Sequence, residues 1–296
     1  MIFKIIILLK LSLNITLFAE NLSSGEYNIT QSWSQEKNFK RQYFVNVPNN
    51  DKNRKLPLFI ALHGNGGNAE RMMKNQLRKF KSISQNYIMV FPQGYKTSWN
   101  IVSERSKADD LAFIEAIVTN LTKFDNVQKK NVTILGNSNG AALVNQIAIE
   151  TKLTSIQNFI SNVSPLNSFQ HDGKNFKLRG VNNNYKEIAK PLPGKRILNV
   201  SGTEDPLVPY NGGLSKGIPA KGGKLSFVAA EESIYQWAKL NGYKGAKLNK
   251  PSFSQGKLDF FSYNDGNFIH IKVNGSGHNA GGSLSEKLLL KFLGSK

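Results

Sequence analysis

The chain has 296 residues, of which 40% are hydrophobic and 20% charged, and its formal net charge is +19. It contains no cysteine, which excludes disulfides, thiolate metal sites and a thiol nucleophile. A charge of this sign attracts anionic polymers, but arginine is sparse and no nucleic-acid-binding motif is present. We therefore predict no nucleic-acid partner.

Residues 1–19 have the pattern of a secretory signal peptide. A basic start, MIFK, precedes an apolar core, and Ala19 supplies a small residue for cleavage. The core is interrupted by polar residues and is shorter than the roughly 20 apolar residues that a membrane span needs. We predict that the mature chain is secreted or periplasmic and that residues 20–296 form a single catalytic domain.

Beyond residue 40, apolar runs of strand length alternate with helical patterns. Continuous apolar runs such as LPLFIALHG are typical of strands that are covered on both faces. Strands that alternate with helices predict the α/β class, with a mainly parallel sheet and helices on both of its faces. The predicted strands are 41–47, 56–64, 86–92, 131–136, 159–164, 196–202 and 268–275. The predicted helices are 109–124, 139–150, 228–241 and 284–293.

The polar stretch 165–195 interrupts this alternation. Insertions of this length without regular structure are uncommon in compact domains and are often functional. The stretch is either a small cap over a pocket or an irregular excursion, and the sequence leaves both interpretations open.

A glycine-bracketed serine follows the fourth predicted strand, in the sequence VTILGNSNGAAL. Ser138 stands at the centre of a G-x-S-x-G pattern, where a strand hands over to a helix. A nucleophilic serine on such a sharp turn needs small neighbours, and the turn raises its hydroxyl above the sheet edge. We therefore predict that Ser138 is a nucleophile, against the alternative of an ordinary strand-to-helix turn.

A serine nucleophile needs a base, which is usually histidine. In α/β-hydrolases the base follows the nucleophile and the acid in the chain, so only His270 and His278 qualify. His270 alternates with isoleucines inside a predicted strand and is expected to point outward. His278 lies in a glycine-rich loop after that strand, which favours it as the base. His63 is expected to be a structural residue of its own loop.

The acid is expected after the strand that ends at Gly202. Asp205 precedes a proline, which favours an extended or turn conformation at the strand exit. Its carboxylate is placed to orient His278. Glu204 is the second candidate and Asp172 the third.

The loop LHGNGGN, at residues 62–68, supplies backbone amides after an earlier strand. We predict that the N–H groups of Asn65 and Asn139 form the oxyanion hole, where negative charge develops in acyl transfer.

Several motifs together carry a resemblance to a known family. They are LHGNGGN, VFPQG, SWN, ADDLAFIEAIV, GNSNGAA, GTEDPLVPYNGG, WAKLNGY and GSGHNAGG. From about residue 40 to residue 292, the chain resembles secreted α/β-hydrolase esterases of the polyhydroxybutyrate depolymerase and feruloyl esterase group, within carbohydrate esterase family one.

The resemblance implies an α/β-hydrolase fold and assigns Ser138, Asp205 and His278 to the catalytic triad. It places Asp109 and Asp110 at a structural acidic pair, outside catalysis. Trp99 falls near the group's substrate pocket, although a core position is equally compatible, and Trp237 is expected in the core.

The chain departs from the group at several positions. Asn65 and Tyr243 stand where the group often has cysteine. The usual His-x-Trp-Pro-Gly is HNAGG here, so the pocket rim beside the base lacks an aromatic side chain. This departure weakens any inference about substrate from the family.

These observations predict a serine esterase that works through an acyl-enzyme, without a metal or an organic cofactor. The expected substrates are feruloyl or acetyl esters of cell-wall polysaccharides, with polyesters such as polyhydroxybutyrate as the alternative. Two other readings stay open: an amidase or peptidase with the same triad, and a non-catalytic protein of this fold that binds anionic polymers. A monomer is favoured, although the sequence does not determine the oligomeric state.

Overall fold

A computed structural model describes residues 20–49 and 54–294, so the predicted signal peptide lies outside the described residues. The strands are β1 (Gly25–Trp33), β2 (Glu36–Asn46), β3 (Leu58–Leu62), β4 (Ile88–Pro92), β5 (Val132–Asn137), β6 (Ile156–Asn162), β7 (Arg196–Gly202), β8 (Gly213–Ala220), β9 (Gly223–Phe227), β10 (Phe253–Gln255), β11 (Leu258–Tyr263) and β12 (Phe268–Val273). The helices are α1 (Ala69–Lys79), α2 (Lys81–Asn86), α3 (Asp110–Leu121), α4 (Asn139–Glu150), α5 (Ala230–Leu240) and α6 (Glu286–Gly294).

Ten of these strands form one sheet, in the order β1-β2-β4-β3-β5-β6-β7-β12-β11-β10. The six central strands, from β4 to β12, pair in parallel. Antiparallel strands extend the sheet at both edges. β8 and β9 form a separate antiparallel hairpin. The prediction of a mainly parallel sheet is confirmed.

Helices cover both faces of the sheet, and each face has its own apolar core. The five residues of β3 are fully buried, and alternate residues belong to different cores. Leu58, Ile60 and Leu62 pack with α3, α4 and α5. Phe59 and Ala61 pack with α1, α2 and α6. This two-sided burial explains why the strand is apolar at every position.

The parallel strands all end at the same edge of the sheet. The loops that follow β5, β7 and β12 therefore emerge side by side, although they are far apart in the chain. In open α/β sheets this edge is where ligands bind.

The stretch 165–195 is packed against the helices of one face. The Gln170 side chain donates a hydrogen bond of 2.7 Å to the Ala142 carbonyl in α4. The rings of Phe176 and Trp237 lie 4.4 Å apart, and Trp237 in α5 is buried, as predicted. Within residues 20–49 and 54–294, no helix is long and apolar enough to cross a membrane.

Candidate active site

Ser138 sits on a strained turn between β5 and α4. Its φ of 52° and ψ of −117° lie in a region that non-glycine residues rarely adopt. A Cβ on Gly136 would overlap the Gly140 carbonyl, and a Cβ on Gly140 would overlap the His63 carbonyl. Both glycines of the G-x-S-x-G pattern are therefore required by the close approach of neighbouring main chain.

His278 contacts both of its predicted partners. Its Nε2 lies 2.9 Å from the Ser138 hydroxyl oxygen, and its Nδ1 lies 2.7 Å from Asp205 Oδ2. With Nδ1 protonated, the ring donates to the carboxylate and accepts from the serine hydroxyl. The His278 side chain is 26% exposed, whereas that of Asp205 is 2% exposed. The imidazole of His278 is therefore partly exposed while the carboxylate of Asp205 is sheltered.

Asp205 is held in its ionised form by hydrogen bonds. Burial alone would raise its pKa, but hydrogen bonds from His278 and from the amides of Val208 and Leu207 outweigh burial, and the pKa is lowered. Both amides donate to Asp205 Oδ1 at 2.9 Å. One carboxylate oxygen is thus fixed by the loop while the other faces the imidazole.

The other candidate acids occupy different surroundings. The Asp172 carboxylate accepts from the amides of Lys174 and Asn175, and it pairs with Lys177 at 3.4 Å. The Glu204 backbone amide donates a hydrogen bond to the Ser276 carbonyl, which joins the loop after β7 to the loop after β12. Of the candidates, Asp205 is the one that contacts His278.

The expectation that His270 points outward is wrong. His270 is fully buried, with Nδ1 2.7 Å from Asn199 Oδ1 and Nε2 2.9 Å from the Tyr210 hydroxyl. The alternation with isoleucine misleads because β12 is covered on both faces. Burial lowers the pKa of His270 to about 3, so the imidazole is neutral.

His63 is a structural residue, as expected. It is buried, and its Nε2 accepts a hydrogen bond of 3.0 Å from the Gly94 amide. Its Nδ1 lies 2.7 Å from the Gly64 carbonyl oxygen. The His63 ring therefore joins the loop 62–68 to the loop after β4.

A cavity of about 560 Å³ opens beside Ser138 and His278, and we call it the serine cavity. Asn65 and Asn139 also line it. Asn139 is the first residue of α4, so its N–H is one of the amides that have no partner within the helix. The predicted oxyanion residues thus lie on the same cavity as the serine.

Glu104 is a residue of this cavity that the sequence analysis missed. Its Oε2 accepts from the amides of Ile101 and Val102, at 2.8 and 2.6 Å. Its Oε1 accepts from the Asn139 side-chain amide at 3.2 Å. Burial raises the pKa of Glu104, and these backbone hydrogen bonds oppose that effect. Glu104 therefore ties the cavity wall to the first turn of α4.

Trp99 occupies the core rather than the substrate pocket. Its ring is fully buried, and its Nε1 donates a hydrogen bond of 2.7 Å to the His63 carbonyl. Its amide donates at 2.7 Å to Asn139 Oδ1. The assignment of Trp99 to the substrate pocket is therefore wrong. Trp99 supports the loop 62–68 through its hydrogen bond to His63 and does not line the serine cavity.

The serine cavity is covered by a different segment from the one considered as a cap. The β8–β9 hairpin contributes Ile218, Leu225 and Phe227 to its wall. None of the residues that line this cavity comes from 165–195. The hairpin is short and rich in glycine and lysine, so no pattern in these residues predicts that they line a cavity.

The acidic pair at the start of α3 lies apart from the serine cavity, as the resemblance implied. Asp110 and Arg41 form a fully buried ion pair with a distance of 2.6 Å. The Asp109 side chain accepts from the Ala112 amide at the helix start and pairs with Arg179 at 3.0 Å. Both carboxylates therefore have structural partners.

No protein-family model matches the chain. Over 200 residues the chain is 26% identical to feruloyl esterase B from Piromyces equi, and the match covers 66% of this chain and 34% of that protein. The chain therefore spans about a third of the length of this relative.

Solved structures resemble the chain over most of its length. Acetyl xylan esterase from Aspergillus awamori matches with a TM-score of 0.62 and 14% identity, covering 92% of this chain and 100% of that one. Est1E from Butyrivibrio proteoclasticus matches with a TM-score of 0.50 and 15% identity, over the same shares. At these identities the likeness concerns the fold. Together with the sheet order and the helices on both faces, it shows that the chain has the α/β-hydrolase fold.

Proposed function

We propose that this protein is a serine esterase that hydrolyses carboxylic esters through an acyl-enzyme. The observation that carries the proposal is the contact of His278 with both Ser138 and Asp205 at hydrogen-bonding distance, on the wall of an open cavity. The esterase named among the relatives supports the same class of reaction. A non-catalytic binding protein would have no need for the strained serine turn or for this alignment.

In the proposed reaction, the Ser138 oxygen attacks the ester carbonyl carbon while His278 Nε2 takes the hydroxyl proton. The carbonyl oxygen becomes an oxyanion, which the amides of Asn65 and Asn139 stabilise. The intermediate collapses, and the alcohol leaves with the proton from His278.

Water then repeats the sequence on the acyl-enzyme. His278 takes a proton from the water, the hydroxide attacks the acyl carbon, and the Ser138 oxygen leaves and regains a proton. The products are the carboxylic acid and the free enzyme. Asp205 stays ionised throughout and stabilises the imidazolium each time it forms.

The serine cavity favours a bulky acyl group. Its volume of about 560 Å³ lies within the range of pockets that enclose drug-sized ligands, so it is much larger than an acetyl group requires. Apolar side chains of the hairpin, including Pro219 and Phe227, face this space. We therefore propose feruloyl esters of cell-wall polysaccharides as the preferred substrates, ahead of acetyl esters and polyesters.

We also propose that the protein acts outside the cytoplasm. The support is the signal-peptide pattern of residues 1–19. A monomeric enzyme acting on an ester-bearing polymer is the simplest form of this proposal.

A substrate panel tests the function. Residues 20–296 and the Ser138→Ala variant are assayed on methyl ferulate, 4-nitrophenyl acetate, a hydroxybutyrate oligomer and a peptide. We expect methyl ferulate to give the highest kcat/KM, and the variant to lose about 10⁶-fold in kcat. Equal rates for the two proteins on every ester would reject the serine mechanism. A preference for the peptide or the oligomer would replace the substrate assignment.

A further inference from the structure

A second concave site lies on the other side of the wall of the serine cavity. It has a volume of about 320 Å³, and we call it the Trp33 cleft. The residues that define it are Trp33, Asn100, Val102, Lys107, Val181 and Asn182.

The two sites share one stretch of chain. Asn100 and Val102 line the Trp33 cleft, whereas the intervening Ile101 and the following Ser103 line the serine cavity. Neighbouring residues of this stretch therefore face opposite sides. The stretch 100–103 is therefore part of the boundary between the two sites.

One wall of the cleft is an aromatic platform with a fixed orientation. The Trp33 ring meets Tyr95 edge-on at 4.9 Å and Phe39 edge-on at 5.6 Å. The Tyr95 hydroxyl donates a short hydrogen bond to Glu36. These contacts hold the indole in place while part of it lines the cleft. A pre-oriented ring binds an apolar face without a further loss of side-chain freedom.

The opposite wall is a strained loop. Asn182 and Asn183 both have a φ of 53°, in the left-handed region. The Asn183 side chain anchors the loop by donating a hydrogen bond of 2.7 Å to Asn100 Oδ1. The loop carries Val181 at the rim, where the side chain is 76% exposed. Strain of this kind persists only where surrounding contacts enforce it, and it concentrates at sites that bind ligands.

The polar groups of the cleft match hydroxyl-rich ligands. Ser34 and Asn182 are exposed, and their side chains carry groups that both donate and accept hydrogen bonds, as sugar hydroxyls do. Arg179 is paired with Asp109, so its charge is largely compensated. The Lys107 ammonium donates to the Glu104 carbonyl at 2.9 Å. A neutral sugar, with an apolar face for Trp33 and hydroxyls for Ser34 and Asn182, fits this set.

We propose that the Trp33 cleft is a binding subsite for the neutral polysaccharide backbone that carries the ester cleaved at Ser138. This inference rests on the proposed esterase function. The polymer chain occupies the cleft while its esterified side group reaches over the shared wall into the serine cavity. The cleft thus selects polymeric substrates, whereas the serine cavity selects the acyl group.

The test compares a polymer with a small ester. Trp33→Ala and Val181→Glu are assayed on soluble feruloylated arabinoxylan and on methyl ferulate. We expect kcat/KM on the polymer to fall by roughly five- to tenfold in each variant, because Trp33→Ala removes one aromatic contact and Val181→Glu places a charge at the rim of the cleft. Activity on methyl ferulate stays unchanged. Val181 is exposed, so its replacement leaves folding intact even if Trp33→Ala does not fold.

Phe253→Ala provides the matched control. Phe253 is 45% exposed and lies on β10, at the opposite edge of the sheet from β1. This variant is expected to behave as the unmodified protein on both substrates. Direct binding is measured by calorimetry, with the inactive Ser138→Ala protein titrated with the same arabinoxylan in the presence and absence of the Val181→Glu change.

The outcomes separate the two proposals. If the unmodified chain hydrolyses methyl ferulate but both cleft variants keep full activity and affinity on arabinoxylan, the cleft proposal is wrong and the esterase stands. If the unmodified chain hydrolyses neither ester, the proposed function fails while the calorimetry still reports on the cleft. Binding of polygalacturonate that is stronger than that of arabinoxylan and is weakened by Trp33→Ala would also overturn the assignment to a neutral backbone.

Discussion

At the scale of single residues, the candidate site depends on how each side chain is held by its neighbours. Ser138 is fixed by a strained turn that only glycines at 136 and 140 allow. Asp205 uses one oxygen for loop amides and the other for His278. These supports keep the three side chains aligned before a substrate binds.

Replacing Asp205 with asparagine tests the role of the acid. The asparagine side chain keeps the size of the carboxylate, but its neutral amide no longer selects the Nδ1-protonated tautomer of His278. We expect kcat to fall by about 10⁴-fold. Steady-state kinetics on methyl ferulate measures the loss, with Glu204→Gln as the control that retains activity. A fall of less than tenfold in Asp205→Asn would assign the acid elsewhere.

The convergence of Ser138, Asp205 and His278 could be predicted from the sequence because each follows a recognisable strand and because their chain order is characteristic. The burial of His270 and the location of Glu104 were not predictable in that way. His270 is enclosed by Asn199 and Tyr210, and Glu104 contacts Asn139 across a sequence gap. Such contacts depend on how distant segments pack, and local patterns do not report them.

At the scale of elements, β2 and α3 are joined by the buried ion pair between Arg41 and Asp110. Asp110→Asn leaves the Arg41 guanidinium buried without a countercharge. We expect the free energy of unfolding to fall by about 3–5 kcal/mol. Urea unfolding measures the change.

The control for this prediction is Glu70→Gln in α1. Glu70 pairs with Lys74 at 2.8 Å, but both side chains are at least half exposed. The change in stability is expected to be small, because exposed ion pairs contribute little to folding. Similar losses in the free energy of unfolding for the two variants would contradict the expectation that the buried ion pair contributes more to stability than the exposed one.

The buried imidazole of His270 in β12 makes the free energy of unfolding depend on pH. Burial lowers the pKa of this imidazole from 6.5 to about 3, and Lys272 contributes in the same direction. Below pH 6.5 the unfolded chain therefore takes up a proton that the folded chain refuses. The stability contribution is complete above pH 6.5 and declines as the pH falls towards 3.

When the pH falls from 6.5 to 5, His270 alone is expected to lower the free energy of unfolding by about 2 kcal/mol. Urea unfolding of the protein and of His270→Gln at pH 7 and pH 5 measures the effect. His63 and His171 also have lowered pKa values, through burial, and remain in both proteins. The variant should lose less stability than the parent. An equal loss in both would show that His270 is not the group responsible.

α1 and the β8–β9 hairpin were not predicted because few of their side chains are both apolar and buried. In α1 the buried residues are Ala69 and Met72, so little apolar periodicity remains. The hairpin residues are largely exposed and include glycine and proline, which are unusual in strands. The central strands were predicted because burial on both faces requires uninterrupted apolar sequence.

At the scale of the whole molecule, one continuous sheet joins the parts of the candidate site. The three triad residues follow β5, β7 and β12, and these strands belong to the same ten-stranded sheet. If residues 20–296 are a single domain, thermal unfolding should show one transition, with equal calorimetric and van't Hoff enthalpies. Differential scanning calorimetry checks this prediction. Two separate transitions would contradict the single-domain assignment.

The proposed reaction requires that His278 and Asp205 make Ser138 reactive. Labelling of residues 20–296 with a fluorophosphonate probe, followed by peptide mapping, tests this requirement. We predict stoichiometric modification of Ser138, which is abolished when His278 is replaced by alanine. A folded protein that takes up no probe, or that is modified at another residue while Ser138 stays intact, would contradict the claim.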